Sequence, residues 1–99
     1  MLYYRWDPKK NEQLKAERGV TFEQVVLHID RGDLPGVYQH PNPDRYPSQQ
    51  VLVVRLGEYA YLVPFVESEE GRFLKTIIPS RKATRDFLGE RYEEGETGQ

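Results

Sequence analysis

Apolar and polar residues recur along this chain with two different periods, and the changes of period separate helical from extended segments. Leu2-Tyr3-Tyr4-Arg5-Trp6 alternates as a short first strand does. Asp7-Pro8 then supplies an N-cap carboxylate and a proline for the first helical position, so Lys9 to Arg18 is predicted helical, with Gly19 closing it. Leu14 and Ala16 are nearly all the apolar content of that helix, which places it on the surface, held by Trp6 or by the next helix. Thr21-Phe22-Glu23-Gln24 forms a capping box with Val20 and Val25 at the staple positions. Phe22, Val25, Val26 and Ile29 follow at helical spacing as far as Gly32, with Val26 and Ile29 expected deepest.

Periodicity lapses between Asp33 and Gln49, where Pro35, Gly36, Pro41, Pro43 and Pro47 allow at most a short extended piece near Gly36–Gln39. Loops this long in a small domain are often functional, which makes His40, Arg45 and Tyr46 candidates for substrate or partner contact. An equally good reading is that Tyr38 and Tyr46 simply cover the sheet. Val51–Leu56 and Tyr59–Val66 read as strands joined by Gly57-Glu58, a pair suited to a type II′ hairpin turn. Pro64 marks an edge-facing position or a bulge in the second strand. After a polar turn at Glu67–Gly71, Phe73–Ile78 reads as a third strand, with Phe73, Lys75 and Ile77 on one face and Leu74, Thr76 and Ile78 on the other. Pro79 breaks it, Ser80 caps the last helix, and Ala83, Thr84, Phe87 and Leu88 dock that helix as far as about Gly89. The sum is an α+β fold: a small antiparallel sheet, built from a three-stranded meander plus the N-terminal strand, with helices packed on one face. Residues 1–89 form one domain, and the acidic segment 90–99 is expected to fray.

With 99 residues the chain supports one modest core, and it shows neither a leader segment nor a membrane-length apolar run. Lacking cysteine, it has no disulfide framework and suits a reducing cytoplasm. Its two histidines, His28 and His40, fall on different segments, so no metal site and no cofactor is expected. His28, on the capped helix, reads as structural. The net charge is −2, but residues 1–89 hold 13 basic and 12 acidic side chains. A nearly neutral body of this kind suits one local RNA contact rather than a grip on long duplexes.

Charge changes the picture most between residues 72 and 85, which hold five basic residues and no acidic one. Arg81 and Lys82 open a helix whose N-terminus is already electropositive, at a cost of about 0.3–1 kcal/mol each, and Arg85 adds a like-charge pair four residues from Arg81. Unpaired amides together with converging Arg and Lys side chains form a ready anion site, for a phosphate or for a partner's carboxylates.

Three segments together resemble one family. Trp6-Asp7-Pro8-Lys9-Lys10-Asn11, then Glu17-Arg18-Gly19-Val20-Thr21-Phe22-Glu23, then Lys75-Thr76-Ile77-Ile78-Pro79-Ser80-Arg81-Lys82-Ala83-Thr84 are similar, in order and spacing, to BrnT-type toxins of bacterial type II toxin–antitoxin systems. The resemblance implies a RelE-like fold, metal-independent cleavage of RNA, and neutralisation by a cognate antitoxin with a ribbon-helix-helix DNA-binding domain. A homodimer or a toxin–antitoxin hetero-oligomer would be the assembly. Among the matching positions Arg81 and Lys82, joined by Lys75, carry side chains suited to phosphate chemistry. Where the family commonly places Glu and Arg at the strand after the loop, this chain has Gln49-Gln50-Val51, with Arg45 before and Arg55 after it, so one of these stands in or the set is incomplete.

Cleavage of this kind needs the 2′-hydroxyl deprotonated, the phosphorane's charge stabilised and the 5′-oxygen protonated. Arg81, Lys82 and Lys75 answer the second need, with Arg85, Arg55, Arg45, His40 and Tyr61 as substrate contacts. For proton transfer the sequence offers His40, Tyr46, Glu58, Tyr59 and Tyr61 and selects none. A competing reading is a non-enzymatic module that docks an acidic partner through the basic segment. A non-catalytic RNA-binding domain with stacked tyrosines is disfavoured by the absence of a glycine-aromatic recognition pattern.

Overall fold

A computed structural model describes residues 3–39, 44–45 and 49–97, with side chains of the last helix described as far as Gly89. Helix α1 (Pro8–Arg18) begins as its local chemistry dictates: the Asp7 carboxylate accepts from the Lys9 N–H at 2.9 Å, and Gly19 ends the helix at φ 69°. Helix α2 (Phe22–Asp30) carries the complete capping box, Thr21 Oγ1 accepting from the Gln24 N–H at 3.2 Å and Gln24 Oε1 accepting from the Thr21 N–H at 2.9 Å. Asn11 ties the two helices, since its Oδ1 accepts from the Phe22 N–H and its Nδ2 donates to the Glu23 carboxylate, each at 2.8 Å. These bonds orient α2 so that Phe22 and Val25, rather than Val26 and Ile29, are fully buried, and Phe22 stacks on Trp6 with ring centroids 5.6 Å apart.

Strands β1 (Tyr4–Trp6), β2 (Gly36–Gln39), β3 (Gln49–Leu56), β4 (Tyr59–Ser68), β5 (Gly71–Leu74) and β6 (Ile78–Pro79) form one six-stranded sheet. Its order is β1-β5-β4-β3-β2, with β6 beside β4. The hairpin joining β3 to β4 turns at Gly57, φ 67°, while Glu58 keeps a negative φ, as a type II′ turn requires. No helix among the described residues is long and apolar enough to cross a membrane.

Three expectations are corrected. The sheet is mixed rather than antiparallel, because β1 runs parallel to β5, pairing Tyr4 with Arg72 and Trp6 with Leu74. This register brings Trp6 to the face where Phe22 waits, and the short β1 carries no local signal of its distant partner. Second, the helices do not share one face. Leu52, Val54, Val63 and Phe65 pack with α1 and α2, whereas Val53, Ala60 and Leu62 pack with Ala83 and Phe87 of the last helix on the opposite face. Val51, Leu52, Val53 and Val54 are consecutively buried, which only a strand covered on both sides permits.

Third, the expected strand Phe73–Ile78 is split. It pairs with β4 as far as Leu74, leaves the ladder, and resumes as β6. Pro64 explains the gap. Its carbonyl accepts from the Lys75 N–H at 2.8 Å, but proline has no N–H to complete the reciprocal bond, so pairing lapses there. The chain twists free, and Leu74 and Ile77 end in the same core instead of on opposite faces. Arg18 fastens the released stretch by donating to the Ile77 carbonyl at 2.5 Å.

Two outcomes are expected. Gly71 holds φ 114° where a Cβ would collide with the Tyr3 carbonyl oxygen, so Gly71→Ala should destabilise the protein by about 1–3 kcal/mol, read as a lowered urea midpoint. The Glu23 carboxyl sits below its ordinary 4.5, chiefly because Asn11 donates to it, then through its own backbone N–H, with smaller help from Thr21 and Lys15 against a small opposing effect of burial. A carboxyl depressed in the folded state stabilises above its unfolded value and loses that contribution as pH falls through the folded one. Acid titration of stability should therefore show a loss beginning near pH 4.5 that is smaller in Asn11→Ala.

Candidate functional site

Helix α3 (Arg81–Thr97) is set onto the sheet by its first turn. Ser80 caps it as expected, its Oγ accepting from the Ala83 N–H at 3.0 Å. The Ser80 N–H donates to the Ala60 carbonyl at 3.1 Å. Thr84 Oγ1 accepts from the Ala60 N–H at 2.8 Å and donates to the Ser80 carbonyl at 2.7 Å. Both polar groups of the Ala60 backbone are thus taken by the start of α3. Thr84 is 1% exposed, so sliding the helix would strand buried donors and acceptors at about 1–3 kcal/mol each.

With Ala83, Thr84 and Phe87 turned to the sheet, Arg81, Lys82, Arg85 and Asp86 stand exposed. A groove of about 260 Å³ runs beside them between α3 and the sheet. Val51, Val53 and Leu62 give it apolar walls, and Lys82 and Asp86 contribute its charges. At the β2 side Tyr38 meets Phe87, ring centroids 5.5 Å apart. Such a site offers cations and one carboxylate at the mouth of an apolar cleft. Among the described residues, no group of three or more His, Cys, Asp or Glu side chains is placed to hold a metal ion.

The chain matches no known family model, no curated protein and no solved structure.

Of the residues singled out by sequence, Arg81, Lys82 and Arg85 share the exposed start of α3, where the Arg85 Nε lies 3.9 Å from Asp86 Oδ1. Lys75 is exposed in the connection between β5 and β6, its ammonium 5.4 Å from the centre of the Phe73 ring. Arg55 lies opposite Ala60, the residue gripped by Ser80 and Thr84, but its Nε donates to the Gly57 carbonyl at 2.8 Å and so braces the hairpin turn. Tyr61 pairs with Pro79 just before α3, yet its ring packs against the α1/α2 core and against Tyr59, 5.6 Å away, on the far side of the sheet from the groove. Arg45 is exposed in a turn between β2 and β3. His40 and Tyr46 lie outside the described residues. His28, read as structural, forms a 3.0 Å contact from Nδ1 to Asp33 Oδ2 that closes the end of α2.

Sequence reasoning passed over Asp86, Gln39 and the groove role of Tyr38. Asp86 had a usable signal, four residues from Lys82 on the same helical face. Thr84→Val keeps the shape of the side chain but leaves the Ala60 N–H buried without an acceptor, so a stability loss of about 1–3 kcal/mol is expected in thermal or urea unfolding, with Thr84→Ser largely restoring it.

Proposed function

We propose that this chain is the toxin of a type II toxin–antitoxin pair, a RelE-like endoribonuclease that cleaves RNA by attack of a 2′-hydroxyl on the adjacent phosphate. The observation that carries this reading is the exposed pair Arg81 and Lys82 on a helix start fixed to the sheet through Ser80 and Thr84, within a segment that resembles BrnT-type toxins. Rigid mounting matters because charge stabilisation accelerates a reaction only when donors need not reorganise as charge develops.

In this mechanism Arg81 binds the scissile phosphate with its planar fork, and Lys82 places a compact charge beside it. Arg85, one turn on, and Lys75 hold flanking phosphates. Asp86, the carboxylate that shares the groove with Lys82, takes the 2′-hydroxyl proton as the 2′-oxygen bonds to phosphorus; the bond from phosphorus to the 5′-oxygen breaks, leaving a 2′,3′-cyclic phosphate and a 5′-hydroxyl that takes its proton from water. The partner is an antitoxin whose ribbon-helix-helix domain binds DNA.

The apolar walls of the groove favour a second reading, a non-enzymatic module in which an acidic partner segment seats an apolar side chain against Val51, Val53 and Leu62. Incubation of purified protein with total RNA, with and without EDTA, separates the two. The toxin reading expects cleavage that persists in EDTA, and Arg81→Ala should lower its rate by about 10²–10³ while sparing antitoxin binding. Absence of cleavage by the unmutated protein, together with loss of partner binding in Arg81→Ala, would establish the docking module instead. A short ribbon-helix-helix reading frame beside this one supports the toxin pair.

A further inference from the structure

The groove between α3 and the sheet is built around an aromatic wall. Tyr38 lies opposite Val51 and Val53 lies opposite Leu62, so all four turn to the same face of the sheet. Gly36 stands two residues before Tyr38 on that face, and a Cβ there would overlap the outer edge of the Tyr38 ring. The missing side chain lets the ring lie back over β2, where its centroid is 5.5 Å from that of Phe87. Tyr38 is nonetheless 49% exposed, which leaves much of its surface open beside the groove.

Two properties of the groove narrow what it takes. Its walls are Val51, Val53, Leu62 and the two rings, and aromatic rings favour another flat ring over a branched aliphatic chain. At about 260 Å³ it falls just below the range of about 300–1,000 Å³ that encloses a drug-sized molecule, which leaves room for one ring system. Lys82 lines the same groove with Arg81 exposed next to it, so a ring seated there gains by carrying an anion outside the cleft. A nucleotide joins a flat ring to an anion through its sugar, in that order.

We propose that the groove holds one unstacked base of a nucleic-acid strand, its plane against Tyr38, its sugar at Asp86 and its phosphate at Lys82. The place of this base in the reaction rests on the proposed function. The ribose that presents its 2′-hydroxyl to Asp86 carries the base, which therefore belongs to the nucleotide on the 5′ side of the cut. Binding in the groove does not rest on cleavage. Because the walls are apolar, the groove recognises a free base by its flat surface and tolerates all four.

Amide NMR with adenosine 3′-monophosphate tests the site, since this probe carries base, 2′-hydroxyl and phosphate but no leaving nucleotide. Saturable shifts are expected at Tyr38, Val51, Val53 and Leu62, whereas inorganic phosphate should leave those four unmoved. A six-nucleotide oligothymidylate, which has no 2′-hydroxyl to attack, gives the affinity. Tyr38→Ala should weaken its binding by about 5- to 150-fold, the loss of one base stack. Gly36→Ala, which displaces the ring without removing it, should weaken binding as well, with circular dichroism confirming that both variants are folded. The proposal fails if the nucleotide leaves the groove amides unmoved, or if folded Tyr38→Ala binds the oligonucleotide as tightly as the unmutated protein. A groove that responds instead to the capped peptide acetyl-Glu-Phe-Glu-amide docks a protein segment, which also overturns it. The titration of the unmutated protein decides the matter alone should either variant not fold. Groove binding without cleavage of total RNA would overturn the toxin reading and leave the base site standing, and cleavage with the groove amides unmoved would do the reverse.

Discussion

The hydroxyl of Thr84 is central to the placing of Arg81, Lys82 and Arg85 at the start of α3. Thr84 bridges the Ala60 N–H and the Ser80 carbonyl inside the protein, at 2.8 and 2.7 Å. Because the Ser80 N–H takes the Ala60 carbonyl as well, the helix is fixed to one residue of one strand. Apolar contact alone would tolerate small shifts, since Ala83 and Phe87 find similar surroundings over a range of positions. Hydrogen bonds between buried groups tolerate almost none. The helix accepts unfavourable charges at its first turn because this anchoring compensates for them.

The same logic governs the rest of the sheet. β3 is apolar on both faces and must be covered twice, so α1 and α2 occupy one side and α3 the other. For α3 to reach its side, the chain has to leave β5 and return beside β4. Pro64 provides the exit by withholding one backbone donor, and Arg18 holds the displaced stretch from the α1 side. A defect in one ladder thereby becomes the route by which the basic segment reaches its mounting.

What the sequence made legible follows the range of the forces involved. The Asp7 cap, the Thr21–Gln24 capping box, Gly19 and the Gly57-Glu58 turn depend on neighbours a few residues away, and the structure has all four as expected. The parallel pairing of β1, the face taken by α3 and the split at Pro64 depend on partners far along the chain, and each was misread. One signal was present, since an unbroken run of four valine and leucine residues in β3 implies two covered faces. At the candidate site, charge was readable because Arg81, Lys82 and Arg85 are solvated whatever the fold does. The groove contribution of Tyr38 exists only in the folded register, as does the loss of Tyr61 to the opposite face.

The pairing of β1 with β5 has a consequence for biosynthesis. Tyr4, Arg5 and Trp6 are made well before their partners Arg72, Phe73 and Leu74. A contact between such distant segments forms late and slowly, and it cannot form at all until Leu74 has left the ribosome. During that interval α1 and α2 lack a completed sheet to lie on. Trp6, the single tryptophan, stays without its final surroundings until β5 arrives, which makes its fluorescence a natural clock for the pairing of β1 with β5.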